Sequence, residues 1–257
     1  CIRDSRRGVH RGVSLRGRHA SSAGHPSTAR SNPVTFSIIA RDPSNGRFGV
    51  AVASFHLAVG STVPHIRSGI GAVATQAHTN PYLGMCGLER LEQGVDARSV
   101  LDSLLIDDPD RDRRQFHLID ATGATTGWTG EACMDSAAHL CEQDLSIAGN
   151  CLVNNDILLC MKQAFFSCDP KWKLGRRLIH ALQAGEDAGG DHRSEQATSA
   201  AVQVSGTSAF PLLDLRIDYQ EKAVNALQNL YQRSQDQWVQ EWRDELADLK
   251  ELKRFAA

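Results

Sequence analysis

The sequence predicts an α+β fold, a four-layer α-β-β-α sandwich in which two antiparallel sheets pack on each other and paired helices cover their outer faces. Three observations carry that prediction. Strand-like segments come in antiparallel groups, not as alternating strand–helix–strand units. The first group opens on a hairpin: TFSIIAR (35–41) and RFGVAVAS (47–54) flank a turn whose Asn45-Gly46 pair accepts positive φ. The helical segments arrive in pairs, one pair after the first strands and one after the middle strands.

Taken in order, the hairpin is followed by IGAVATQA (70–77), which reads as a buried strand. The small Gly49, Ala51 and Ala53 predict close packing on one face of the hairpin's second strand. Asn80-Pro81 opens a turn, and Leu83, Leu88 and Leu91 give helical spacing closed by Gly94. A second helix follows, with Asp96 as N-cap and Ala97, Val100, Leu101, Leu104 and Leu105 on its apolar stripe. The charged run DPDRDRR (108–114) is expected to be a solvated turn. QFHLID (115–120) and TTGWTG (125–130) read as a hairpin around Gly123, and LSIAGNCLV (145–153) as a further strand. Residues 154–168 and 169–189 are both helical in pattern. SAAVQVSG (199–206) and LLDLRID (212–218) are the last strands. From about Gln220 the chain reads as helix, with Trp238, Trp242, Leu246, Leu249 and Leu252 stepping by three or four. That stripe suits either a helix docked on its own domain or a partner helix of a homodimer.

Composition narrows the function classes. Hydrophobic content of 41% and charged content of 23% are those of a globular domain, and a net charge of −2 gives no pull toward nucleic acid or an anionic membrane. No apolar run reaches the roughly 18 residues of a membrane span. Seven cysteines, with no CxxC pair and no zinc-type Cys/His spacing, predict reduced thiols and no metal site. A disulfide among Cys133, Cys141 and Cys151 stays open if the compartment is oxidising. Residues 1–34 are rich in Arg and Ser with one acid, Asp4, and have no apolar core. They are expected to lie outside the fold, as a disordered extension or an organellar targeting segment. The protein is expected to be soluble and cytoplasmic, or organellar if that segment is a transit peptide.

A series of blocks in fixed order resembles one family. TFSIIARDPSNGRFGVAVAS, AVGSTVPHIRSGIGAVATQAHTNPYLG, GLERLEQGVDA, DDPDRDRRQFHLIDATG, TGWTGEAC, SIAGN and AGGDHRSEQ, followed by LDLRID, are similar to DUF1028 over residues 35–220. The resemblance implies the N-terminal nucleophile hydrolase fold, with residues 221–257 as a helical tail. It implies a first strand that begins at Thr35. In that superfamily a hydroxyl, a poor nucleophile on its own, is activated by the α-amine of the same residue, so cleavage before it creates the site. The implied activity is hydrolysis of a C–N amide bond in a small molecule or peptide, without a cofactor. By position the resemblance makes Thr35 the nucleophile and Asp42 the supporting acid. The chain also departs from the family. Phe55 stands where Lys or His often follows the Ser that ends the second strand, which leaves His56 as a substitute base. Ser194 and Ala197 replace the usual Gly and Ser, and SGTSAFPL replaces a Gly-rich stretch. These departures favour the alternative, a non-catalytic ligand-binding or assembly protein on the same fold.

The remaining candidates follow from spacing. Ser37 shares a strand face with Thr35 and could orient its amine. Gln76, His78 and Asn80 alternate at the end of a buried strand, which suits a pocket wall with an amide donor for an oxyanion. Asn150, at the end of SIAGN, is a second such donor. Asp191 and Arg193 follow Gly189-Gly190, where Arg193 could clamp a substrate carboxylate. Each also has a plain structural reading as a strand, turn or loop residue.

Overall fold

The computed structural model describes residues 34–133, 136–189, 197–247 and 249. The expected hairpin is present as β1 (Thr35–Arg41) and β2 (Phe48–Ser54), in a register that sets Thr35 opposite Ser54 and Arg41 opposite Phe48. Its turn is closed by Asp42, which accepts from Ser44 and from the Asn45 side chain, and Gly46 takes φ +70°.

β3 (Pro64–Arg67), β4 (Gly71–Ala77), β5 (Arg114–Asp120) and β6 (Thr125–Thr129) form a four-stranded antiparallel sheet in that order. β7 (Ala138–Glu142), β8 (Leu145–Asn150), β9 (Ser199–Val204) and β10 (Leu213–Ile217) join the hairpin in a six-stranded antiparallel sheet, ordered β10-β9-β2-β1-β8-β7. β3 and β7 are not legible as strands in sequence. β3 has four residues and opens on a proline, a residue confined to edges and strand starts, and β7 is an edge strand whose residues are all at least partly exposed.

The helices are α1 (Pro81–Glu92), α2 (Ala97–Asp107), α3 (Asp156–Ser167), α4 (Leu174–Asp187), α5 (Ala223–Arg233) and α6 (Gln237–Ala247). Asn80 caps α1 by accepting from the Tyr82 N–H, and Asp96 caps α2 by accepting from Ser99. The C-terminal segment expected as one helix is broken after Arg233. There the Ser234 hydroxyl returns to the Tyr231 carbonyl and Asp236 starts the next helix. Val224, Leu227 and Tyr231 of α5 are buried, whereas Trp238 and Trp242 of α6 are exposed.

Three apolar clusters hold these elements, and strand alternation decides which residue joins which. Ile39, Val50 and Val52 of the larger sheet meet Ala72, Ala74 and Ile119 of the smaller one. Phe36, Ile38, Ala51 and Ala53 turn the other way, onto α3, α4 and α5. Val73, Phe116 and Leu118 pack on α1 and α2. The close packing expected at Gly49 is real: a Cβ there would come within 2.4 Å of Leu178 on α4. The six described cysteines form no disulfide. No helix among the described residues is long and apolar enough to cross a membrane.

Candidate functional site

Between the sheets the contact is apolar at one end and polar at the other. β1 turns Thr35, Ser37 and Ile39 toward the smaller sheet. Ile39 lies in the apolar part, and Ser37 and Thr35 lead to the polar end. There the ends of β2, β4 and β8 meet the starts of β1 and β5.

Thr35 is buried, as is Val34 before it. The Thr35 Oγ1 lies 3.0 Å from the Ser54 Oγ. Ser54 donates its proton to the Val34 carbonyl at 2.7 Å and accepts from the His56 N–H at 2.9 Å. With its single proton so used, its contact with Thr35 has Thr35 donating. The Phe55 N–H is a second donor to the Val34 carbonyl, at 3.2 Å. The bond that precedes Thr35 thus has its carbonyl oxygen gripped by two donors, one of which also accepts from the Thr35 hydroxyl.

Beneath Thr35 runs a network across both sheets. Ser37 contacts the Gln76 Oε1 at 2.6 Å and the His117 Nε2 at 2.9 Å. His117 Nδ1 contacts the Ser146 hydroxyl at 2.8 Å. Gln115 joins Gln76 at 2.8 Å and Asn150 at 3.0 Å, and also holds the Gly149 carbonyl. The Gln76 amide reaches the Thr35 carbonyl with a long contact of 3.5 Å. His117 is fully buried; that desolvation, with a smaller contribution from His139, pushes its pKa down to about 3. It is a neutral imidazole.

Several sequence expectations change. Ser37 does not face the Thr35 nitrogen; its hydroxyl is tied to Gln76 and His117. The amide nitrogens of Gln76 and Asn150 both donate to Gln115, and the Gln76 amide reaches only the Thr35 carbonyl; the donors on the Val34 carbonyl are Ser54 and the Phe55 N–H. Asp42 stands at the far end of β1, about 20 Å along the strand from Thr35. Its hydrogen bonds stay within the turn. Burial raises its pKa, but Ser44, Asn45 and the field of Arg177 hold it below the usual value. The His56 ring is exposed against the Leu57 carbonyl, and only its backbone N–H reaches Ser54. The alternation through Gln76, His78 and Asn80 fails because Ala77 takes φ +65° and ends the strand. Asn80 becomes a helix cap, and His78 is held by Arg114 through its ring and its carbonyl. The run expected as a solvated turn buries two of its charges, Arg114 and Asp108, as an ion pair at 2.9 Å. Asp191 and Arg193 lie outside the described residues.

Ser54, Gln115, His117 and Ser146 were not singled out from sequence. One signal existed: Gln115 and His117 alternate with Phe116 and Leu118 in the middle of a buried strand. The described residues bring together no group of three or more His, Cys, Asp or Glu side chains that could hold a metal.

The pattern of a family described as "Family of unknown function (DUF1028)" matches residues 35–227. The crystal structure of protein SPO2555 from Silicibacter pomeroyi, which carries the same family assignment, is 31% identical. The similarity covers 82% of this chain and 93% of that one, with a TM-score of 0.75. Anbu (ancestral beta-subunit) from Yersinia bercovieri is 10% identical over 84% of this chain and 99% of its own, with a TM-score of 0.40, below the level that shows a shared fold. No curated protein matches.

Proposed function

The chain belongs to the DUF1028 family, and from that premise we propose that it is an N-terminal-nucleophile hydrolase of a C–N amide bond in a small molecule or peptide, with Thr35 as the nucleophile. The three apolar clusters support the layered α-β-β-α arrangement that such enzymes use.

One observation carries the reading: two donors hold the carbonyl of the bond before Thr35, and one of them also accepts from the Thr35 hydroxyl. The Val34 carbonyl oxygen faces the Ser54 hydroxyl and the Phe55 N–H. A tetrahedral oxyanion formed there would be met by two donors already in place. In the maturation step, the Thr35 Oγ attacks the Val34 carbonyl carbon and passes its proton toward Ser54. The C–N bond breaks, an ester links Val34 to the Thr35 oxygen, and the proton ends on the Thr35 nitrogen. Water then hydrolyses the ester and Val34 leaves as a carboxylic acid. The freed α-amine, with an ordinary pKa near 8, becomes the base for the same hydroxyl, and the two vacated donors receive the carbonyl of an incoming amide. Phe55 enters this scheme through its main-chain N–H alone.

The test is reactivity of the matured chain. A β-lactone, which acylates such hydroxyls, is expected to add one equivalent at Thr35, and a panel of small amides is expected to contain a substrate. Thr35→Ala abolishes both. Acylation of Thr35→Ala at the wild-type rate would overturn the assignment.

A further inference from the structure

Proton accounting around Thr35 fixes the direction of every hydrogen bond in the buried network, starting from acceptors whose nature is not in question. Main-chain carbonyls only accept. The Gln115 side chain places one terminal atom 2.9 Å from the Gly149 carbonyl and 3.1 Å from the Ala138 carbonyl, so that atom is its nitrogen. Its oxygen then faces Gln76 and Asn150, and both must present N–H groups to it. Gln76, with its nitrogen turned to Gln115, turns its oxygen to Ser37.

Ser37 has one hydroxyl proton, and the Gln76 oxygen claims it. At the Ser37 oxygen the His117 Nε2 must therefore donate. A neutral imidazole carries one N–H, so Nδ1 is a lone pair and the Ser146 hydroxyl donates to it. The Ser146 oxygen is then left to accept from the Cys141 thiol at 3.4 Å. The result is a one-way chain from Cys141 through Ser146, His117, Ser37 and Gln76 to Gln115.

We infer that His117 is the positioning residue of the Thr35 site: as the Nε2–H tautomer it locks Ser37 and Gln76 in one orientation, and through Gln115 and Asn150 it fixes the end of β1 that carries Thr35. The grip on Thr35 is double. Gln76 reaches its carbonyl, and Gln115 holds Asn150 and the Gly149 carbonyl of β8, the strand that pairs with β1 at Thr35 and Phe36. Five of the side chains in this chain, Ser37, Gln76, Gln115, His117 and Ser146, are completely buried between the sheets, so no water competes for their hydrogen bonds.

The neutrality of His117 has a use. The α-amine of a matured Thr35 would have to lose its proton near pH 8. A support built on an imidazolium would change its hydrogen-bond pattern with pH, whereas the neutral chain keeps one pattern throughout that range. Complete burial of His117, which disfavours the charged ring, points the same way.

This role rests on the reading of Thr35 as nucleophile, and the experiment separates the two. Gln places its amide nitrogen where imidazole has Nε2, and Asn where it has Nδ1. In the full chain, His117→Gln is expected to cleave the Val34–Thr35 bond within about threefold of wild type, and His117→Asn about tenfold or more slower, the size of one lost buried hydrogen bond. Nitrogen-15 NMR of wild type is expected to show His117 protonated on Nε2 only. The Gln76 side-chain amide protons are expected to stay protected from exchange in His117→Gln and to lose protection in His117→Asn. An Nδ1–H tautomer, or equal behaviour of the two variants in both readouts, would overturn the inference. If wild type itself does not cleave, the nucleophile reading fails, and the tautomer and the Gln76 protons alone decide whether His117 positions this strand end.

Discussion

Thr35 and Ser54 face each other across the first two strands, and their hydroxyls meet at 3.0 Å while Ser54 holds the carbonyl of the residue before Thr35. Ser54 is thus the shared partner of the candidate nucleophile and of the bond it would attack. Ser54→Ala leaves the Thr35 hydroxyl and the His56 N–H without their acceptor and removes one of the two donors on Val34. The expected result is a stability loss of about 1–3 kcal/mol and cleavage before Thr35 slowed by about a hundredfold. Thermal melting and intact mass over time check the two parts separately.

The Arg114–Asp108 pair anchors the turn after β4 from inside, since Arg114 also holds the His78 carbonyl. Burial raises the Asp108 pKa, but hydrogen bonds from Arg114 and the Asp110 N–H, with the Arg114 charge, keep it below the ordinary value. Asp108→Ala leaves the buried guanidinium with only the exposed Asp110 carboxylate, at 3.4 Å, as its counter-charge and is expected to cost about 3 kcal/mol. The double change Asp108→Leu with Arg114→Met is expected to cost less than Asp108→Ala alone. Urea denaturation of the three proteins measures this, and a larger loss in the double variant would contradict it.

Acid is expected to destabilise the protein before its carboxylates titrate. The unfolded chain binds a proton on residue 117 near pH 6.5, whereas burial delays that binding to about pH 3 in the folded chain. The folded pKa of this histidine is the lower one, so its contribution is complete above pH 6.5. It is lost as pH falls, by up to about 1.4 kcal/mol per pH unit. His139 and His65, also lowered by burial, act in the same direction. Glu186, raised by burial, acts oppositely, its contribution being lost as pH rises. Melting temperature followed from pH 8 to pH 4 is expected to fall more steeply in wild type than in His117→Gln; equal slopes would contradict the account.

Gly49 separates packing from chemistry. A Cβ there would lie 2.4 Å from the Leu178 Cδ1 and 3.1 Å from the Leu174 Cδ2, on the sheet face turned away from Thr35. Gly49→Ala is expected to cost about 1–3 kcal/mol through overpacking and to leave the cleavage rate before Thr35 unchanged at temperatures where it stays folded.

The fold was legible because its signals are local. The Asn45-Gly46 turn, the Asp96 cap and the apolar stripe of α2 each declare themselves within a dozen residues. β3 and β7 were not legible because short edge strands carry little alternation. At the candidate site, strand alternation puts Thr35, Ser37, Gln76 and Asn150 where they meet between the sheets, but the partners they bind there were illegible because those come from distant strands. His117 meets Ser37 from eighty residues away, and its apolar neighbours made it look like part of an ordinary buried strand. Asp42 and Asn80 misled for the opposite reason: a short polar side chain next to proline satisfies its own turn or helix end, so its chemistry is spent locally.

The measurement that bears most directly on the central claim is the mass of the full chain during incubation after purification. The account predicts that wild type converts to a species beginning at Thr35, with the residues up to Val34 released, and that Thr35→Ala does not convert. A wild-type chain that keeps Val34 joined to Thr35 throughout would contradict it, because the amine that is to activate the hydroxyl would never form.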